Sequence, residues 1–245
     1  MLDLNGLDKY GADTIEPWRP GDPTNVLLWG SEGVGKSHFW MTAPDPLIAF
    51  DFEHNLHETL RGVQKLDPEK SIKRFPYMVP PLEDRLACKI MGDKLVKDVN
   101  IVLDFLVANK AKATFVFDTV TNWWEIFRFA YVPLDDKGRA MQREYGPAVG
   151  KANGILQKIK AYGHSIIMVA RAKPYWLDNK DTGLLCGDYY KAFGYAASAI
   201  IEISKTPSNE RQYRIVRCKA NERAEQLPAL GELDYPGLLK VIEAV

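Results

Sequence analysis

The sequence is short of the features that mark secreted, membrane-bound or globally nucleic-acid-coated proteins. Its three cysteines, Cys88, Cys186 and Cys218, have no paired spacing. That argues against a disulfide framework or a zinc site and fits a reducing compartment. No uninterrupted apolar run reaches the roughly 18 residues that a membrane span needs. The opening stretch MLDLNGLDKYG has no cationic segment followed by an apolar one, so no signal peptide is expected and the reading is cytoplasmic. A net charge is missing as well: 32 Lys+Arg balance 32 Asp+Glu. With no global field to attract nucleic acid, any such binding must come from local patches. Internal repeats and low-complexity tracts are absent.

Residues 1–24 are rich in Gly, Pro and Asp, with no sustained periodicity, and read as a surface arm. Its Leu7, Tyr10, Ile15 and Trp18 need cover, from the chain's own core or from a neighbouring subunit. Residues 25–245 read as a single core domain. With 245 residues in all, 46% of them hydrophobic, the chain is long enough for one α/β domain and short for two.

The stretch that organises the core is NVLLWGSEGVGKSHF, Asn25 to Phe39. An apolar run, Val26 to Trp29, ends in Gly30-Ser31-Glu32-Gly33-Val34-Gly35-Lys36-Ser37, the phosphate-loop pattern G-x-x-x-x-G-K-[ST]. Glycines let the backbone curl around a phosphate with its N–H groups inward, and the helix that follows adds its positive dipole end. Gly30 through His38 are therefore the expected nucleotide contacts. Lys36 would meet the β- and γ-phosphates of ATP, and the Ser37 hydroxyl would ligate Mg²⁺.

Further strands are expected at Pro46–Phe50, Ala113–Thr119, Ser165–Ala170, Ala199–Ser204 and Tyr213–Cys218, the last two joined by a hairpin turn at Pro207-Ser208-Asn209-Glu210. The second strand delivers Asp51 and Glu53 to the end where ligands bind in an open parallel sheet. Asp118 closes an apolar strand, the Walker B pattern, in which the carboxylate supports Mg²⁺. Helical spacing marks Asp98–Ala108, Asn122–Tyr131, Lys151–Tyr162, a short piece at Tyr190–Ala197, and Tyr235–Ala244. The stretch 56–95, broken by four prolines, reads as one short helix followed by loops, and Ala172–Tyr189 as a polar loop bearing aromatics. His54 and His57 lie near the acidic residues, but no third metal-site residue is suggested and Mg²⁺ prefers oxygen ligands.

In this order of parts the chain resembles a RecA-type recombinase ATPase core, similar to phage-encoded core-only single-strand annealing ATPases, over roughly Asn25 to Arg223. Phe50-Asp51-Phe52-Glu53-His54 is the most specific element of the resemblance. It implies that Glu53 is the general base for the attacking water. The resemblance places a first DNA-binding loop at Leu134–Pro147, with Lys137, Arg139 and Arg143, and a second at Ala172–Tyr189, with Lys173, Tyr175, Trp176 and Lys180. Tyr175 and Trp176 would stack on bases or else be tucked into the domain. Arg171 falls at the family's phosphate-sensor position, where RecA has a glutamine. Arg217, Lys219 and Arg223 fall where RecA-like subunits send cations across an interface, the alternative being solvated charges.

The fold so implied is α/β: a RecA-like P-loop NTPase with a mainly parallel central sheet, flanking helices and an edge hairpin. The implied function is Mg²⁺-dependent ATP hydrolysis coupled to single-stranded DNA binding, serving annealing or strand exchange in recombination and repair. The implied partners are single-stranded DNA, further copies of the chain in a ring or filament with nucleotide between subunits, and a single-strand-binding protein; a phage-encoded chain would act in the host cytoplasm. Two other readings stay open: an ATPase switch or loader that acts on a protein partner, and a nucleotide-binding interaction module with little hydrolysis.

Overall fold

A computed structural model of the chain describes residues 22–54, 56, 70–133, 144–178 and 180–244. Residues 1–21 of the amino-terminal arm and the first loop's Lys137, Arg139 and Arg143 thus lie outside the described residues. Eight strands are described: β1 (Asn25–Gly30), β2 (Leu47–Asp51), β3 (Ile72–Pro76), β4 (Thr114–Asp118), β5 (Ser165–Leu177), β6 (Lys180–Asp188), β7 (Ala199–Lys205) and β8 (Arg211–Cys218). They form one sheet in the order β3-β2-β4-β5-β1-β7-β8, with β6 folded back on β5. From β3 to β7 every pairing is parallel; β5–β6 and β7–β8 are antiparallel. The mainly parallel sheet and its edge hairpin are therefore as the sequence implied.

The parallel strands are apolar on both faces because helices cover both. Odd positions of β1, Leu27 and Trp29, join the side chains of the helices α2 (Arg85–Ala108), α3 (Val120–Tyr131), α4 (Gly146–Ala161) and α5 (Lys191–Ala196). Even positions, Val26 and Leu28, join α1 (Lys36–Trp40) and the C-terminal α6 (Tyr235–Glu243). The two small helices are also tied directly, since the Tyr235 N–H donates to Thr42 Oγ1 at 2.8 Å. Trp123 and Phe127 of α3 are fully buried and Trp124 nearly so, as the aromatic spacing implied.

Two stretches differ from their sequence reading. Within 56–95 lie an edge strand, β3, and the first half of α2. The strand is only half-buried and carries Lys73 and Arg74, so it lacks a hydrophobic signature. Along the start of α2 the inward positions include Cys88 and Gly92, while Leu86 and Ile90 are exposed. Gly92 is needed there: a Cβ would stand 2.7 Å from the Tyr131 hydroxyl. Small residues inside and large ones outside invert the usual stripe. The other difference is Ala172–Tyr189, which is not a loop: β5 runs on to Leu177 and returns as β6 in a long hairpin.

The phosphate-loop strand packs tightly against β7. A Cβ on Gly30 would lie 2.2 Å from the Ile203 carbonyl oxygen, which no rotamer change relieves because the obstacle is backbone. Gly30→Ala is expected to lower unfolding stability by about 1–3 kcal/mol, the range for overpacked sites that force the backbone to move. Urea denaturation of the two proteins checks it.

Candidate functional site

The site lies where β1, β2 and β4 end on the same edge of the sheet, beside Arg171 of β5. Parallel register places Gly30 beside Arg171 and Asp51 beside Asp118. One strand, β5, separates the strand that feeds the phosphate loop from the one that ends in Asp118.

After β1 the loop turns through two glycines of positive φ, Gly33 at 72° and Gly35 at 103°. Gly35 is the N-cap of α1, which aims the first N–H groups of that helix into the loop. Lys36 Nζ folds back and donates to the carbonyls of Gly30 and Ser31, both at 2.8 Å. Burial lowers its pKa, a shift opposed by the nearby Asp118, Glu53 and Glu32. These carboxylates favour the charged ammonium, the form that a phosphate would meet.

Ser37 Oγ donates to Asp118 Oδ2 at 3.4 Å, and the same oxygen accepts the Trp40 indole N–H at 3.1 Å. Asp118 is almost fully buried. Burial first, and then the charge of Glu53, push its carboxyl up to about 7. A hydroxyl and a carboxylate side by side, the latter short of positive charge, make a donor set of the hard oxygen type that Mg²⁺ takes. No cluster of three or more metal-ligating His, Cys, Asp or Glu is found among the described residues.

Glu53 stands on the turn after β2. Asp51, fully buried, accepts the backbone N–H groups of Glu53 and His54 at 3.0 Å each, and Arg74 of β3 closes on its other oxygen at 2.6 Å. Asp51 thus faces the scaffold of the turn. Glu53 itself receives the Arg171 Nε–H at 2.7 Å. Arg171 is the root of the β5–β6 hairpin, and the Thr121 hydroxyl ties that root together: it accepts the Arg171 N–H at 3.1 Å and donates to the Asp188 carbonyl at 2.5 Å.

Farther along the hairpin, Tyr175 and Trp176 are exposed, as are Leu177, Leu184 and Leu185. The aromatics are therefore presented to solvent and not tucked into the domain. Lys180 is exposed at the tip, and Lys173 pairs with Asp188 at 2.8 Å. Of the three late cations, Arg217 is half-buried, while Lys219 and Arg223 are exposed. Arg217 donates to the carbonyls of Gly194 and Ala197, and Lys219 to that of Tyr195, so both cap the end of α5 at the edge of the sheet opposite the phosphate loop. The expectation of three cations free to reach a neighbour is corrected to this extent.

Several site residues carry no motif. Arg211, first residue of β8, lies so close to Gly35 that a Cβ there would meet its Nε at 2.6 Å. It lines a cleft of about 970 Å³ with His38, Phe39, Thr42, Tyr213 and Glu232. Trp40 was legible in principle, one turn beyond Ser37 on the same helix face. Arg74 and Arg211 were not, since only the sheet brings their strands to the loop.

Asp118 gives the site a pH signature. Its folded pKa lies above the unfolded value, so its contribution favours the fold below about pH 4 and is lost as pH rises through about 7. In metal- and nucleotide-free protein, Asp118→Asn should therefore raise Tm by several degrees at pH 8 and change it little at pH 4.5. Paired thermal melts at the two pH values check the sign.

Residues 22–202 match a family model described as an AAA domain. No curated protein sequence gives a match. Among solved structures, a KaiC-like protein, PH0186, from the hyperthermophilic archaeon Pyrococcus horikoshii OT3 aligns with a TM-score of 0.48 and 15% identity, over 81% of this chain and 80% of that one. The family match spans most of the chain, and with its phosphate loop in place the protein belongs to the AAA domain family of P-loop nucleotide-binding proteins.

Proposed function

We propose that the protein is a Mg²⁺-dependent ATPase that binds single-stranded DNA and promotes annealing or strand exchange in recombination. The observation that carries this reading is the Arg171–Glu53 ion pair, which joins the acid at the end of β2 to the root of an exposed hairpin. A single contact thereby links the hydrolytic site to a surface suited to nucleic acid.

In this reading Lys36 leaves the Gly30 and Ser31 carbonyls for the β- and γ-phosphates of ATP. Glu53 orients a water and accepts its proton as the oxygen attacks the γ-phosphorus and ADP leaves. Arg171 moves from Glu53 toward the γ-phosphate, which it can meet with two parallel N–H groups. Ser37 and Asp118 are the residues that would hold Mg²⁺, whose charge offsets that of the phosphate oxygens. The nucleoside end is assigned to the cleft between α1 and the β7–β8 turn, with Arg211 over Gly35.

DNA contacts are assigned to Tyr175, Trp176, Lys173 and Lys180 on the hairpin and to Lys137, Arg139 and Arg143 in the preceding segment. Aromatic faces take bases of any sequence, and the lysines meet the backbone. Assembly into a homo-oligomer with nucleotide between subunits, and a single-strand-binding protein as a further partner, belong to the same proposal, with the exposed Arg223 as its trans-acting cation. A second reading, an ATPase switch docking a protein partner, draws on Leu177, Leu184 and Leu185, which make the hairpin more apolar than phosphate binding requires.

The test is the steady-state ATP hydrolysis rate with and without single-stranded DNA, with Lys36→Ala as blank. Stimulation by DNA is expected, with affinity that falls steeply as salt rises. Trp176→Ala should weaken DNA binding about tenfold, the loss of one stacked base. Hydrolysis indifferent to DNA would transfer the hairpin to the protein-docking reading.

A further inference from the structure

We infer that Arg74 and Asp51 are a positioning pair that fixes the aim of Glu53, an inference that rests on the reading of Glu53 as the water-activating base. A carboxylate with no solvent exposure is costly unless its oxygens are filled with donors. Asp51 is filled from two directions. Its Oδ1 accepts the N–H groups of Glu53 and His54, each at 3.0 Å, while its Oδ2 receives Nε and an Nη of Arg74, both at 2.6 Å.

The turn that results does not hold itself. His54 adopts a φ of 58°, a left-handed conformation that non-glycine residues rarely take. Carrying such a residue, the stretch Asp51-Phe52-Glu53-His54 depends on what surrounds it. The Phe52 N–H donates to the Asp118 carbonyl at 2.7 Å, and Asn122 Nδ2 donates to the Phe52 carbonyl at 3.2 Å. Those two bonds fix the middle of the turn against β4 and α3. Among the described residues it is Asp51 that takes the N–H of Glu53, and Arg74 holds the Asp51 carboxylate in that orientation.

Arg74 is well placed for this. It comes from the edge strand β3, its side chain is 16% exposed, and it extends over the turn to approach His54 Nδ1 at 3.4 Å. Neither Arg74 nor Asp51 touches the loop glycines, Lys36 or Ser37 in any contact described above. Asp51 also acts by its charge on the neighbouring Asp118, so the variant that isolates the route through Glu53 is one at Arg74 that leaves both charges in place. A shift of about 1 Å in a base suffices to slow a reaction about a hundredfold, while phosphate binding by the loop is left intact.

The experiment is a double-mutant cycle on the full-length chain with ATP as substrate. Arg74→Lys keeps the charge and loses the two-pronged grip. It is expected to lower kcat about 10- to 100-fold and to leave the Kd for ATP within about twofold. In a Glu53→Gln background the same substitution is expected to change the residual rate no further, because the group it aims is gone. A role in folding alone would move Kd and kcat together and would multiply with Glu53→Gln; either result, or a wild-type kcat for Arg74→Lys, overturns the inference. Asp51→Asn retains an acceptor for the Glu53 N–H and, though it also removes the charge beside Asp118, reports the same cycle should Arg74→Lys fail to fold. If Glu53→Gln by itself hydrolyses ATP at the wild-type rate, the base assignment falls and the positioning pair with it. That failure is read from Glu53→Gln alone and so is distinct from the others.

Discussion

Two carboxylates, Asp51 and Asp118, stand side by side at the ends of adjacent parallel strands, both out of water. Like charges so placed cannot both be ionised without compensation, and the rest of the site is arranged around that requirement. Asp51 is compensated by Arg74 and by two backbone N–H groups. Asp118 is given only the Trp40 indole, the Ser37 hydroxyl and the more distant Lys36, and its carboxyl is correspondingly reluctant to ionise. The first arrangement is closed and structural. The second is left short of positive charge.

The same sheet edge explains how a distant surface can be coupled to chemistry. β5 is central in the sheet yet is the longest strand, and its outer half leaves the body of the protein as one arm of a hairpin. Arg171 sits where the buried part becomes the exposed part, bonded to Glu53 through its side chain and to Thr121 through its backbone. A tilt of the hairpin about this root must alter the Arg171–Glu53 pair.

Much of this was legible in the sequence because motif residues are placed by local backbone chemistry. Gly30 to Ser37 spell out a loop whose glycines are required by positive φ and by the closeness of β7, and Asp118 closes a strand whose five residues are all buried. Parts held by non-local pairing were not legible. β3 is polar, half-buried and ordered by its partner β2, and the start of α2 buries Cys88 and Gly92 in place of large residues. The second loop reads as polar coil from composition because both faces of a projecting hairpin meet water, which erases the alternation that identifies a strand. Arg211 and Arg74 enter the site from the two outer strands of the sheet, and no spacing along the chain could have announced them.

The bond from the Tyr235 N–H to Thr42 has a consequence for the far end of the chain. Thr42 follows the phosphate-loop helix directly, and its hydroxyl also donates to the Phe39 carbonyl, so the last helix leans on the segment that would tighten around a nucleotide. Local opening of that helix and of the loop is then a shared event. The carboxy-terminal stretch becomes a gauge of the nucleotide state: resistance of its backbone to proteases and to hydrogen exchange should rise and fall with occupancy of a site formed almost two hundred residues earlier in the chain.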